Sequence, residues 1–181
     1  MNVFCTGVEN PITILTDGVP EEKIRITATG ATLEKKDDSH YNVRVTIPGE
    51  ASVKVFAGDS VLRQFKYWVK RLPDPNMLLG GKYKSRHIKN GIFKVQTGLA
   101  TNFQHFDYDV DCQIVRFRVT RFPCKSDPES VENQGPRFEP AAQRLISRAQ
   151  PGDQYMFEDI RVKCPGDVAS REIEPLSFQI Q

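Results

Sequence analysis

Asp107, Asp109 and Asp111 alternate with Phe106, Tyr108 and Val110 in one short run. In an extended chain every second side chain points the same way, so the three carboxylates would share a face. A row of hard oxygens is the ligand set that Ca²⁺ takes. The run departs from the EF-hand template, however: Cys112 stands where the loop needs its sharp-turn glycine, and Arg118 where the bidentate glutamate belongs. The other readings are a solvated polar face crossed by Arg or Lys from a neighbouring strand, or a contact to a basic partner. No metal is expected to be needed for folding, and no cofactor is expected.

His40, His87 and His105 are scattered in turn-like contexts without HExxH or facial-triad spacing, and read as surface or turn histidines. Glu158 and Asp159 would offer an acid/base pair, but neighbours on a regular strand point to opposite faces. They could share a substrate only across a bulge. G-x-S-x-G, GxxxxGK[ST] and G-x-G-x-x-G are all absent, so neither an enzyme nor a small-molecule substrate is expected. Cys5, Cys112, Cys124 and Cys164 contain no C-x-x-C pair. Cys112 and Cys164 fall in strand-like runs and read as buried free thiols, with Cys124–Cys164 the first bridge to consider.

The 181 residues carry 25 basic and 23 acidic side chains, a net of +2. So even a balance gives no strong pull toward nucleic acid or an anionic membrane. No apolar run approaches the ~20 residues that span a bilayer. The first residues lack the basic and long apolar regions of a signal peptide. Those facts suit a cytosolic protein or a piece of a longer exported chain.

The elements that must position these residues are mostly strands. Up to Pro73, short runs alternate apolar and polar positions: Ile12–Ile14, Ile24–Ile26, Tyr41–Ile47, Ala51–Ala57 and Phe65–Val69. Turn signals such as Pro48-Gly49 and Gly58-Asp59 separate them. Roughly seven short strands predict an Ig-like β-sandwich over residues 1–73, without the Cys…Trp…Cys hallmark of antibody domains. Trp68 sits on the polar parity of its strand, as an edge or domain-contact residue or as an interface anchor. Residues 74–81 read as a semi-rigid Pro/Gly-rich linker, and residues 82–181 as a second β domain.

In that second half, Lys89-Asn90-Gly91 reads as a turn and Ile92–Val95 as a short strand. Phe106–Phe122 is the longest strand-like run. Its apolar parity switches near Cys112–Val115, which predicts a β-bulge or bend, with Val115, Phe117 and Val119 inward thereafter. Lys125–Gln134 reads as an exposed loop. One short helix near 139–149 follows: Pro140 suits the first turn, and Ala141, Leu145, Ile146 and Ala149 form an apolar stripe. Pro151-Gly152 stops it, and strands Tyr155–Cys164 and Pro175–Gln181 complete a fold that is mainly β.

The segments GVENP (Gly7–Pro11), VKRLPDPNMLLGGK (Val69–Lys82), FDYDVD (Phe106–Asp111), GPRFEP (Gly135–Pro140), FEDIRV (Phe157–Val162) and PLSFQIQ (Pro175–Gln181) occur in that order. In this ordered set the chain resembles the C-terminal periplasmic part of the GldM/PorM family, the motor-linked component of the Bacteroidetes type IX secretion and gliding machinery. The resemblance covers essentially the whole chain. It implies a non-catalytic periplasmic module that transmits motion or anchors, a homodimer, and an outer-membrane-associated ring lipoprotein with its companion (GldK/GldN or PorK/PorN type) as partners. Family members begin with a transmembrane helix, a helical domain and another β domain. None of these is in this sequence, so it reads as a fragment or a stand-alone relative. An extracellular β-sandwich adhesin or carbohydrate-binding module is the alternative; it would want a row of exposed aromatics, for which Trp68 is the candidate. A partner surface on the terminal domain is expected at Lys125–Phe138, where Arg137 and Phe138 are of the types enriched at interface hot spots. The structural alternative pairs Arg137 with Glu158 or Asp159 and staples Phe138 into the core.

Overall fold

The computed structural model describes residues 2–15, 18–104 and 110–181. His105, and Asp107 and Asp109 of the acidic row, therefore lie outside the described residues. The chain divides into two units, Met1–Pro73 with Pro165–Asp167, and Asp74–Cys164 with Val168–Gln181.

The first unit is an Ig-like sandwich. It is built from β1 (Val3–Cys5), β2 (Asn10–Thr13), β3 (Ile24–Thr29), β4 (Thr32–Lys35), β5 (His40–Arg44), β6 (Gly49–Ala57) and β7 (Ser60–Lys70). One sheet runs β1-β7-β6-β3 and the other β2-β5-β4. Alternation works as expected: Val53 and Val55 from β6, Val43 from β5 and Val69 from β7 are buried between the sheets. Phe4 stacks on Tyr67 with ring centroids 4.0 Å apart. Gly58, at φ +60°, turns the β6–β7 hairpin with Asp59. Ile47, expected inward, lies beyond the end of β5 and is exposed. β1 and β4 are too short to show as alternating runs.

The second unit holds β8 (Asn76–Leu79), β9 (Arg86–Ile88), α1 (Asn90–Lys94), β10 (Leu99–Asn102), β11 (Gln113–Phe122), β12 (Glu129–Gln134), α2 (Pro140–Ser147), β13 (Gln154–Lys163), β14 (Arg171–Ile173) and β15 (Leu176–Ile180). Its large sheet runs β12-β11-β13-β15-β9, with β14 also on β13, and β8 pairs with β10 in a small sheet. Among the described residues no sheet mixes strands of the two units. Both helices contribute to the core on one face of the large sheet. Phe93 of α1 lies 4.6 Å from Tyr155 and 6.1 Å from Phe178, ring to ring. α2 buries Ala142, Leu145 and Ile146, followed by Ala149. The Tyr155 hydroxyl donates to the Leu145 carbonyl at 2.8 Å, beside the Arg148 N–H that the same carbonyl accepts at 3.3 Å, which ties the last turn of α2 to the sheet.

Several expectations are corrected. Asn90–Lys94 is a helix and not a turn with a strand, so the unit has two helices; a one-turn helix with a single buried residue, Phe93, is too short for a readable stripe. The linker expected at 74–81 contains β8, whose Met77, Leu78 and Leu79 are buried; apolar burial there outweighs the local Pro/Gly signal. The loop expected at Lys125–Gln134 becomes β12 from Glu129 onward, an edge strand whose polarity suits a sheet border. The long strand starts at Gln113.

The bulge is real and double. Between Ile114 and Arg116, β11 carries one extra residue relative to β13; between Arg116 and Arg118 the extra residue is on β13. Val115 is that extra residue and turns outward, against expectation, while Ile114, Phe117 and Val119 all face the core.

Finally, Cys112 and Cys164 form a disulfide, so neither is a free thiol and Cys124 is unbridged. The cysteines flank the outermost β11–β13 pair, Gln113 opposite Lys163, and their Cα atoms are 4.2 Å apart. Strand register, invisible in the sequence, brings them together.

Candidate partner interface

Arg137 is exposed on a loop that the fold holds at nearly every backbone group. Asn133, fully buried at the end of β12, organises it. Its side-chain amide donates to the carbonyls of Gln134 and Gly135 (both 3.2 Å) and Arg137 (2.9 Å), and its carbonyl accepts from the Glu139 N–H at 2.7 Å. The Gly135 N–H donates to Val115 at 2.8 Å, and Pro136 accepts from Leu99 at 2.8 Å. A Cβ on Gly98 would sit 2.1 Å from the Pro136 carbonyl, so only glycine admits this approach.

Phe138 is buried directly after Arg137. Its ring stacks on Phe157 (5.9 Å, 11°) and meets Phe117 edge-on (6.1 Å). The stapled arrangement is therefore the one present for Phe138. The pairing of Arg137 with Glu158 or Asp159 is not: Glu158 accepts from Thr120 at 2.7 Å, and Asp159 pairs with Arg118 at 2.9 Å. Asp159 holds φ +50° in the β13 bulge, which turns both carboxylates to the outer face. Each is already partnered there, so they do not converge on a reaction centre.

Trp68 lies on β7, between β1 and β6, and 56% of it is exposed, so it is not an edge residue. On the same outer face Phe56 is covered by the Arg25 guanidinium, 4.3 Å from the ring centroid. Among the described residues no three His, Cys, Asp or Glu side chains gather as a metal site. His40 bonds Asp37 at 2.7 Å, holding that exposed carboxyl below its usual range, and His87 is exposed on β9.

Sequence reasoning missed the most buried electrostatic feature. Arg121 on β11 and Asp153 before β13 are both nearly sealed from solvent and pair at 2.8 Å. Asp153 also accepts the Gln150 N–H at 3.0 Å, fixing the turn after α2. The pair is structural, and Arg121 on the core parity of its strand was the available signal.

Residues 1–70 match the family model described as the GldM third domain, and residues 73–181 match that of the GldM C-terminal domain. The chain belongs to the GldM family. It is therefore a component of the type IX secretion and gliding machinery, in which GldM C-terminal domains are periplasmic. No curated protein matches it. Among solved structures it is similar to the two immunoglobulin domains of DIP-gamma, at 10% identity over 99% of this chain and 93% of that one, TM-score 0.29. It is also similar to human mucin-like protocadherin EC1-2 (12%, 99% and 94%, TM-score 0.24). The Yersinia pseudotuberculosis adhesin InvE is a third (13%, 86% and 48%, TM-score 0.25). No helix among the described residues of this GldM-family chain is long and apolar enough to cross a membrane.

Proposed function

We propose that the chain is a non-catalytic structural and mechanical module of the secretion and gliding machinery. It works in the periplasm as a homodimer, and its second unit docks on the outer-membrane-associated ring lipoprotein and its companion, of GldK/GldN or PorK/PorN type. The observation that carries this reading is the loop Gly135–Glu139. Its backbone is clamped by Asn133, and Phe138 is locked in the aromatic core, so Arg137 is presented on a support that loses little freedom on binding. Load passed through such a loop reaches the sheet through hydrogen bonds and packed rings. The Cys112–Cys164 disulfide suits an oxidising compartment such as the periplasm. Trp68, exposed on the first unit, is the anchor we assign to a second protein contact.

The test replaces Arg137 and Phe138 by alanine, one at a time, and measures melting temperature and binding to the purified ring complex. Arg137→Ala is expected to leave stability unchanged and weaken binding. Phe138→Ala is expected to lower stability, with binding following the folded fraction. Full ring binding by folded Arg137→Ala would remove this surface from the interface.

A further inference from the structure

The first unit has a sandwich that is closed along one side and open along the other. β6 and β7 turn Val53, Val55, Phe65 and Tyr67 inward, and Ile12 of β2 and Ile14 just beyond it line the same gap. Between them lies an apolar groove of about 460 Å³. Two strand edges flank it. β2 is outermost in its sheet. β7 is covered by β1 only at Trp68, Val69 and Lys70, so from Ser60 to Lys66 it has no strand on that side among the described residues.

The edge is chemically open as well. The Trp68 N–H donates across to Asn2 at 3.0 Å, and the Asn2 side chain reaches the Lys66 carbonyl at 3.5 Å. By the alternation of an antiparallel ladder, Lys66 and Gln64 aim their backbone groups the same way as Trp68, away from β6. The groove's rim exposes Leu15 (79%) and Leu62 (48%). Arg63 brings the charge to the lining. It is exposed, lies 5.9 Å from the Phe65 ring, and has no carboxylate paired with it among the described residues.

We propose that this groove is a strand-acceptor site for an extended segment of a partner polypeptide. The segment adds to the sheet along β7, beyond the point where β1 stops, and places alternate apolar side chains into the gap between the sheets. Main-chain hydrogen bonds give affinity, and the groove selects apolar residues at every second position. The exposed Arg63 guanidinium in the lining selects an acidic residue at the mouth, by charge complementarity. The site lies in the first unit and is independent of the Arg137 surface.

The probe is a short synthetic peptide alternating valine and threonine, with one aspartate, titrated into the whole chain. Amide exchange reports the edge, and the emission of Trp68, on the same strand, reports occupancy. Binding is expected to slow exchange at Gln64 and Lys66. Arg63→Glu, an exposed change checked by unchanged melting temperature, is expected to weaken binding by about tenfold. Replacing the peptide's aspartate by lysine should then restore it, and Leu62→Glu should abolish binding of either peptide. Equal binding by wild type and both variants, or protection elsewhere, overturns the proposal. Self-association of the wild type that Leu62→Glu abolishes also overturns it, since the groove's occupant is then a second copy.

Discussion

Each unit contains one buried asparagine that bonds through both ends of its amide. In the first, Asn10 accepts from the Cys5 N–H at 2.8 Å and donates to the carbonyls of Cys5 (3.0 Å) and Val43 (3.1 Å), tying β1 to β5 across the Gly7–Glu9 turn. In the second, Asn133 spends its bonds on the Gly135–Glu139 loop. The same side chain thus closes a sandwich in one place and presents a loop in the other. The cores differ in kind as well. The first is mainly small aliphatics around Val43, Val53 and Val69, and it leaves a groove along β7. The second interlocks Phe93, Phe117, Phe138, Tyr155, Phe157 and Phe178, and a disulfide closes the end of its sheet. Those rings come from the sheet, from α1 and from the loop before α2, which itself adds only aliphatic side chains.

The sharpest way to break this comparison is in the cores. Phe157→Ala is expected to cost about 3–5 kcal/mol, because its ring is touched by three others. Val53→Ala, beside a wall that is already partly open, is expected to cost clearly less. Chemical denaturation with amide exchange resolved by unit checks both, and equal losses would mean the cores are equally tight.

Removing the disulfide is next in size. Replacing Cys112 and Cys164 together by alanine should cost about 2–4 kcal/mol, confined to the second unit. Mild reduction of the wild type should reproduce it, and an unchanged transition midpoint in denaturant would show that the ladder alone holds that end.

The asparagines sharpen the contrast. Asn10→Ala and Asn133→Ala should each cost about 1–3 kcal/mol, since each strands buried backbone groups. Asn133→Ala should also lower ring binding at temperatures where the protein remains folded, and Asn10→Ala should not. Equal effects on binding would remove the loop's special role.

The smallest effect is one of pH. Burial pushes the Tyr155 phenol well above its ordinary value. The folded state therefore keeps a proton that the unfolded state loses above about pH 10. This contribution is fully present below that pH and is lost as pH rises beyond it; in the first unit burial likewise raises the Cys5 thiol and the Tyr67 phenol. A pH series of melting temperatures should show a steeper alkaline decline in wild type than in Tyr155→Phe.

Much of this architecture was legible in the residues. Period-two runs located most of β5 and β6 and part of β3 and β7 because each strand has one wet face. Pro140 and the Leu145–Ile146 stripe marked α2 because a helix buries a face at its own period. The parity switch near Cys112–Val115 announced a bulge, since no flat strand keeps both halves' apolar residues inward. The ordered motifs pointed to the family. β12 and α1 were not legible, because a polar edge strand and a one-turn helix owe their form to neighbours more than to their own pattern.

The sequence by itself determined the strands that keep one wet face and the amphipathic helix α2, since periodicity and turn chemistry are local properties of the chain. The tertiary structure alone decided which cysteines meet, because the pairing of β11 with β13 sets Gln113 opposite Lys163 and so brings Cys112 to Cys164. It decided that Phe138 enters the aromatic core while Arg137 stays outside, because Asn133 fixes the loop between them. It also decided that β7 has no partner strand on its β1 side from Ser60 to Lys66 among the described residues, beside an apolar groove. β1 stops covering that strand at Trp68, and only pairing between segments far apart in the chain could set that limit.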